Sequence, residues 1–356
     1  MAKVFAFPMS PANYTLDIID NIYRPMGVKY AFVHGNSEAS DKSGGAALVL
    51  GRIKNPFRRM EVIYRVLREN DVFIVNSYTE KISLHILLLN ILFFKKPMGI
   101  SSDTQLSTPN GTVRAGLKST FLKWLFTRPY IYGLPGGTRT HVQLFTYYGM
   151  NENRVFILPM MVNNNKYRRS VVPLPGGKFK FIYVGRLVSC KQVDKVIEAF
   201  KSLRKKDLSA ELHIVGDGIE RSRLHDISKD GNIIFHGKLY GDGLIEELHK
   251  ADCLILYSSR EPWGLVVNEA LASGIPCIVS DAVGARFDLV EGVKPTGLVV
   301  SAQDINALYD TMEKIVSDSL LWESMSNNAL QRMEGWSYME YKNHLKRFVA
   351  AAERCA

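Results

Sequence analysis

The sequence predicts an α/β protein made of two doubly wound parallel sheets in tandem. Three observations predict it. Short apolar runs alternate with helix-length segments along nearly the whole chain, the pattern of strand–helix–strand units. The 356 residues exceed what one domain usually takes, and a polar stretch from 159 to 177, with three consecutive Asn and a closing Pro-Leu-Pro-Gly-Gly, interrupts the alternation near the middle. The charge changes at the same place: residues 1–170 hold 22 Lys+Arg against 10 Asp+Glu, whereas residues 171–356 hold 23 against 25. The expected division is a first domain over 1–165, a linker over 166–177 and a second domain over 178–337.

In the first half, residues 3–7 form a strand that runs into Pro8-Met-Ser-Pro11-Ala12-Asn13-Tyr14, and 15–23 form an amphipathic helix. Residues 30–33 are a strand, and 34–45 a Gly/Ser-rich loop. Residues 57–68 read as a basic helix, 71–75 as a strand and 82–94 as a helix apolar on nearly all sides. A strand begins at 98 and ends in Ser101-Ser102-Asp103-Thr104-Gln105. Residues 112–128 place Leu117, Phe121, Trp124 and Leu125 at helical spacing, with Arg114, Lys118, Lys123 and Arg128 around them. Such a helix lies in a membrane interface or packs as a core helix with a basic outer face. Residues 129–133 and 154–158 are strands, and Gly136-Gly137-Thr138 opens a helix between them that runs to about 148.

The second half restarts the alternation with a strand at 180–184, a loop Gly185-Arg186-Leu-Val-Ser-Cys-Lys191 and a helix at 192–203. Gly185 allows close backbone approach, and Arg186 and Lys191 put two cations on one strand-to-helix loop, where they can neutralise a diphosphate. Strands follow at 211–215, ending in Gly216-Asp217-Gly218, and at 232–235, followed by Lys238-Leu239-Tyr240, with a helix at 246–250.

The chain is organised around 252–281. A buried strand (252–257) leads through a loop containing Glu261, Pro262, Trp263 and Gly264 to a helix at 265–273, then to a strand from Cys277. The loop lies on the carboxyl edge of the sheet, where open α/β sheets bind ligands. The amides of Gly264, Leu265 and Val266 are first-turn donors suited to a phosphate. Glu261 stands before this mouth, and Glu269, one turn after Leu265, leans back toward it. Two acceptor-only carboxylates suit hydroxyls on either side of a diphosphate: a sugar and a ribose. A strand at 297–300, helices at 304–316 and 320–333, and an amphipathic helix from 336 to 356 complete the chain.

Composition narrows the classes. Hydrophobic residues make up 46% and charged residues 22%, as in a globular protein with an ample core. The four Cys are far apart without a C-x-x-C, which argues for a reducing compartment and against a structural zinc. The start of the chain reads as a strand rather than a signal peptide, and no apolar run reaches the roughly 20 residues of a membrane span. The basic first half points to a polyanionic partner: nucleic acid, an anionic membrane surface or a phosphorylated substrate.

From Tyr183-Val-Gly185-Arg186-Leu with Lys191 and Ile197-Glu-Ala-Phe200, through Ile214-Val-Gly216-Asp-Gly218, to the block 261–281 and Val283-Gly284, the second half resembles the retaining glycosyltransferases of family 4. The first half resembles them more loosely, in 71–77, Ser101-Ser-Asp103-Thr104, Gly136-Gly137 and Tyr148-Gly149-Met150. The resemblance implies a GT-B fold: two facing Rossmann-like domains with a deep cleft between them and a C-terminal helix (338–356) crossing back to the first domain. It implies that Arg186 and Lys191 hold the donor diphosphate with the amides of Gly264, Leu265 and Val266. It also implies that Glu261 takes donor-sugar hydroxyls, that Glu269 takes the ribose, and that Gly216 and Lys238-Leu239-Tyr240 flank the base. Trp263 and Gly185 belong to the same donor site.

The family works without a metal cofactor, and no Asp-x-Asp occurs here. The reaction is expected on the donor face, the leaving phosphate helping to deprotonate the acceptor hydroxyl. Many relatives direct a His from the first domain toward the sugar. Here Asp103 stands at the matching strand end, with His34 and His141 as alternatives, and Pro11-Ala12-Asn13-Tyr14 replaces the family's glycine-rich first loop.

The expected activity is therefore transfer of a hexose-type sugar from a nucleotide-diphosphate sugar to a glycan hydroxyl. The acceptor is expected to be lipid-diphosphate-linked, in bacterial envelope polysaccharide assembly (O-antigen, capsule or exopolysaccharide). The expected setting is the cytoplasm, peripheral on the inner membrane face. A nucleotide-sugar epimerase on the same fold is the alternative. A nicotinamide dehydrogenase would need G-x-G-x-x-G after a strand, and position 221, where the third glycine would fall, is Arg. Nucleic-acid binding is not expected, because the basic residues are scattered and form no recognition motif.

Overall fold

The computed structural model describes residues 2–35, 48–106, 112–169, 172–204, 209–229 and 231–354. Most of the loop expected over 34–45 lies outside these residues, as does the side chain of Arg114.

The chain begins with β1 (Val4–Phe7), α1 (Asn13–Ile18), β2 (Lys29–Tyr30), α2 (Pro56–Glu69), β3 (Val72–Asn76) and α3 (Lys81–Leu89). Next come β4 (Met98–Ser102), α4 (Val113–Phe126), β5 (Ile131–Pro135), α5 (Thr140–Tyr147) and the single turn α6 (Asn164–Tyr167). The second sheet alternates β6 (Phe179–Val184), α7 (Val193–Arg204), β7 (Ala210–Val215), α8 (Arg221–Ile227), β8 (Ile233–Gly237), α9 (Asp242–Lys250), β9 (Cys253–Leu256), α10 (Leu265–Ala272), β10 (Cys277–Ser280) and β11 (Gly297–Val300). Three helices close the chain: α11 (Ile305–Ser317), α12 (Ser319–Gly335) and α13 (Tyr338–Glu353). It divides into two compact units, 1–160 with 338–356, and 161–337.

The first unit is built on a parallel sheet of order β2-β1-β3-β4-β5. Helices α2, α3 and α4 begin where the sequence supplies caps. Asn55 accepts from the amides of Phe57 and Arg58 at 2.9 and 3.2 Å, with Pro56 at the first helical position. Glu80 accepts from Ser83 at 2.7 Å, and Thr112 from Ala115 at 3.2 Å. The core gathers Phe7, Phe73, Ile86, Phe126 and Phe145, all buried. Helix α13 packs into this unit: Tyr341 and Tyr23 share a hydroxyl hydrogen bond at 3.2 Å, and Phe348 meets Tyr132 edge-on at 5.5 Å. Gly99 on β4 makes room for that contact, since a Cβ there would lie 2.9 Å from the Phe348 ring.

Two expectations change here. Residues 154–158 form no full strand: Val155 bridges to Gly133, and the amides of Phe156 and Leu158 donate to the Gly133 and Pro135 carbonyls at 2.9 Å, so the segment runs along β5 in a one-sided pairing. Helix α4 buries Leu122, Leu125 and Phe126 rather than the whole expected stripe, and leaves Val113 (83%), Leu117 (69%) and Trp124 (37%) exposed. It therefore carries two apolar faces, one in the core and one outward. Arg128 lies over the Trp124 ring at 4.7 Å on the outer one.

The second unit is a six-stranded parallel sheet of order β11-β10-β9-β6-β7-β8. The order reverses between β6 and β9, so the loops that leave these two strands border the switch point. Residues from both the end of the expected first domain and the expected linker are packed onto this unit. Asn164 donates to the Met333 and Trp336 carbonyls at 2.8 and 2.9 Å, and Arg169 to those of Leu248 and Ala251 at 3.0 Å.

Candidate functional site

The loop after β6 and the loop after β9 carry Arg186, Lys191 and Glu261 to the carboxyl edge of the second sheet. Lys191 ends a short helical turn, Ser189–Lys191, and the next residue, Gln192, adopts φ +50° and anchors its side chain on the Ala302 carbonyl at 3.2 Å. That left-handed residue turns the chain into α7 and leaves Lys191 facing the neighbouring loop. There it pairs with Glu261, and the two side chains are only 12% and 13% exposed. Glu261 is itself held by a bridge to Val283 and by the Gly284 amide on its carbonyl, at 3.1 Å. The two charges compensate each other in a half-buried position, which avoids the cost of an isolated buried ion. Arg186 is exposed on the same loop. Its carbonyl accepts from the Tyr183 hydroxyl at 2.9 Å, and burial, with Glu261 adding to it, pushes that phenol well above its ordinary value.

Gly264 starts α10 at φ +99°, and a Cβ there would lie 2.9 Å from Leu256. Both conditions call for glycine. The turn leaves the first-turn amides of Leu265 and Val266 at the mouth of the helix, and both residues are partly exposed. Trp263, expected in the donor site, is 2% exposed; its indole donates to Asn268 at 2.8 Å and its ring stacks on Trp336 at 5.7 Å. Its side chain braces the loop, so any contact it makes with a ligand must come from the backbone.

Glu269 lies one turn into α10 and accepts from the Tyr167 hydroxyl at 3.0 Å. Burial pushes its carboxyl up to about 7, against the opposing effect of that hydrogen bond. The Tyr167 carbonyl in turn accepts from Ser273 at 2.9 Å and from His249 at 2.8 Å. Sequence reading missed Tyr167 because it sits in the polar stretch taken as a linker. An aromatic residue inside an Asn- and Arg-rich run was the available signal.

The glycines of the β6 and β7 loops serve each other before any ligand. Gly216 has φ +143° and a Cβ there would sit 1.8 Å from the Gly185 carbonyl; one on Gly218 would sit 2.2 Å from that of Leu187. The two loops are thus in backbone contact, with Leu187 donating to Asp217 at 2.9 Å. Beyond β8, Lys238, Leu239 and Tyr240 form a turn between Gly237 (φ +69°) and Gly241 (φ +54°), with Tyr240 73% exposed.

Asp103 belongs to the first unit. It is exposed just past β4, where a Cβ on Gly136 would meet its Cα at 3.6 Å. Of the two alternatives, His34 pairs with Glu80 at 3.1 Å and His141 is wholly buried on α5.

Comparison with known proteins adds to this geometry. Residues 165–332 match the family model described as glycosyl transferases group 1. The chain is 30% identical over 161 residues to the glycogen synthase of Mycobacterium tuberculosis strain H37Rv, covering 44% of this chain and 38% of that one. It is 26% identical over 189 residues to the capsular polysaccharide biosynthesis glycosyltransferase CapM of Staphylococcus aureus, covering 52% and 49%. It spans half or less of the length of these curated relatives. The structure of Anabaena Alr3699/HepE in complex with UDP is similar over 98% of this chain and 100% of that one, with a TM-score of 0.78 at 16% identity. The fold is thus GT-B, with two Rossmann-like domains, and the match to the glycosyl transferases group 1 model falls on residues 165–332.

Proposed function

We propose that the protein is a retaining glycosyltransferase that needs no metal for chemistry. It moves a hexose-type sugar from a nucleotide-diphosphate sugar to a hydroxyl of a lipid-linked glycan during assembly of a bacterial envelope polysaccharide. The observation that carries the reading is the grouping of Arg186, the Lys191–Glu261 pair and the open first turn of α10 around the switch point of the sheet whose sequence matches the family model. Two cations and a helix N-terminus can take the charge of a leaving nucleoside diphosphate as it develops. Glu261 already accepts from Lys191. A bound diphosphate would draw the ammonium toward itself and leave the carboxylate for the donor sugar's hydroxyls. Glu269, ionised, would take the ribose. In a retaining reaction on the donor face, the departing phosphate accepts the proton of the acceptor hydroxyl, so the protein need not supply a nucleophile. Asp103 is proposed as a group of the first unit that meets the acceptor or the sugar.

The envelope setting is supported by the capsular name of the Staphylococcus aureus relative. The proposed site of work is the cytoplasmic face of the inner membrane. No helix among the described residues is long and apolar enough to cross a membrane. The outer face of α4 offers Leu117 and Trp124 beside Lys118 and Lys123, in a half of the chain with a marked excess of positive charge. The named relatives are a synthase and a glycosyltransferase, and nothing in them favours the epimerase alternative.

The test is a thermal-shift panel of UDP-, GDP- and ADP-sugars followed by transfer to lipid-linked and water-soluble glycan acceptors, with and without added Mg²⁺. One nucleotide sugar should stabilise the protein and be consumed only when acceptor is present, at a rate indifferent to Mg²⁺. Conversion of donor alone into an isomeric sugar would replace the reading with the epimerase. An absolute need for Mg²⁺ would overturn the proposed chemistry.

A further inference from the structure

We propose that the second unit holds a transition-metal ion, zinc first among the candidates, between β7, β8 and α9. The ligands are His213, His236 and Glu247, and the inference does not depend on the transferase reading.

The geometry is specific at the level of atoms. His213 Nδ1 lies 3.0 Å from His236 Nε2, and Glu247 Oε2 lies 3.7 Å from the first nitrogen and 3.6 Å from the second. A point equidistant from the three atoms is about 2.0 Å from each, which is the length of zinc–imidazole and zinc–carboxylate bonds. The carboxylate oxygen is too far from either nitrogen for a good hydrogen bond, yet points between both. His213 Nδ1 and His236 Nε2 lie within hydrogen-bonding distance of each other, and with both nitrogens free of protons the same three atoms converge on one point that a shared cation would fill. Two imidazoles and one carboxylate suit zinc and its neighbours rather than magnesium or calcium, which prefer oxygen ligands.

The surroundings are arranged to hold the three groups. The far nitrogen of His213 faces Glu211 Oε2 at 3.5 Å, the carboxylate–histidine–metal order that fixes a ligating ring. Glu211 is steadied through its other oxygen by Lys178 at 3.0 Å. The second oxygen of Glu247 is occupied by Lys250 at 2.6 Å, leaving Oε2 to the site. His213 pairs in register with Ile234, and the ladder slips beyond Ile214 so that Val215 pairs with Gly237. His236 is the residue the slip passes over, and its ring stacks against His213 at 5.1 Å and 17°. Side-chain exposures of 13%, 21% and 13% make a sheltered site with room for a fourth, non-protein ligand. The cysteine spacing that argued against zinc is silent about a site assembled from His and Glu on three elements.

Such an ion would tie the edge strand β8 to α9 at both ends of the turn Lys238–Tyr240, and so set that turn's position. The experiment uses the untagged full-length chain purified without chelator. Elemental analysis should find about one zinc per chain, and Co²⁺ added to chelator-treated protein should give the visible absorption of a site with nitrogen and oxygen ligands and low coordination. Zinc should raise the melting temperature of the stripped wild type and leave that of Glu247→Gln and His236→Asn unmoved. Wild-type protein that binds neither Zn²⁺ nor Co²⁺ at micromolar concentration would overturn the proposal, as would variants that bind as well as wild type. If a variant does not fold, competition between the wild type and dipicolinate decides: release of one equivalent with a fall in melting temperature supports the site, and no release of metal or no change refutes it.

Discussion

Glu269→Gln should make the protein more stable at high pH and worse at holding its nucleotide. The carboxyl is raised from 4.5 to about 7 by burial, so the fold favours its protonated form. For an acid raised in this way, the favourable contribution is complete below about pH 4.5 and is lost as pH rises through about 7. Above pH 7 the wild type carries an ionised group in a site that resists it. The shift is worth about 3 kcal/mol at most, at ~1.4 kcal/mol per pH unit. Glutamine is uncharged and keeps an oxygen for the Tyr167 hydroxyl, so it removes the penalty without breaking the contact. For a unit of this size, the ceiling on the gain in melting temperature is roughly 10 °C. Melting curves of both proteins between pH 4 and 8.5 should therefore diverge, the gain of Glu269→Gln growing from about pH 4.5 to about pH 7 and staying level above it. Nucleotide-sugar affinity should behave in the opposite sense. In the wild type it should rise toward pH 8, as the carboxylate that accepts ribose hydroxyls forms, and in Glu269→Gln it should be weak and flat. A constant difference in melting temperature across the range would show that the carboxyl titrates normally. An affinity independent of both pH and the substitution would remove Glu269 from the ribose.

Other substitutions separate the roles assigned to the site. Arg186→Ala should lower kcat/KM by roughly 30- to 1000-fold, the scale of losing one preorganised charge donor (about 2–4 kcal/mol), with little change in melting temperature because the side chain is exposed; full activity would sink the diphosphate assignment. Glu261→Gln should slow turnover while nucleotide affinity, measured by calorimetry, stays near that of the wild type; equal losses in both would refute the division between Glu261 and Glu269. Gly216→Ala should unfold or strongly destabilise the second unit, since its Cβ would meet the Gly185 carbonyl at 1.8 Å; a soluble variant with an unchanged melting curve would contradict the packed pair of loops. Lys118→Glu/Lys123→Glu should weaken co-sedimentation with anionic liposomes and leave neutral liposomes unaffected, at about 1 kcal/mol per lysine and less in high salt; no binding of wild type to anionic vesicles at low salt would end the membrane reading.

The sequence made the parallel sheets legible because their strands are continuous apolar runs bounded by glycine and proline, and because the loops after β7 and β9 are punctuated by glycines, Gly216 and Gly264, whose backbone no other residue adopts easily. Gly264 is such a case: its place before an apolar helix announced the turn that opens α10, and φ +99° is the reason. The reading stopped wherever the meaning of a residue depends on a partner far away in the chain. Gly216 looked like a glycine for a ligand, but the atom that excludes a side chain is the Gly185 carbonyl. Trp263 looked like a ligand contact because of its loop, and the indole is instead consumed by Asn268 and Trp336. On α4, helical spacing identified an apolar stripe but could not decide between its two sides, since Leu125 and Leu117 are chemically alike and only the sheet below selects one. Tyr167 is the sharpest instance. Composition around it says linker, yet its hydroxyl and carbonyl bind Glu269, Ser273 and His249. The short turn before the first strand of the second unit is therefore packed against Glu269, and a change there should be read in the titration of Glu269 before it is read as flexibility. Tyr167→Phe supplies that reading: without the hydroxyl that lowers it, the carboxyl should titrate higher still, and the pH at which the nucleotide sugar begins to bind should rise with it.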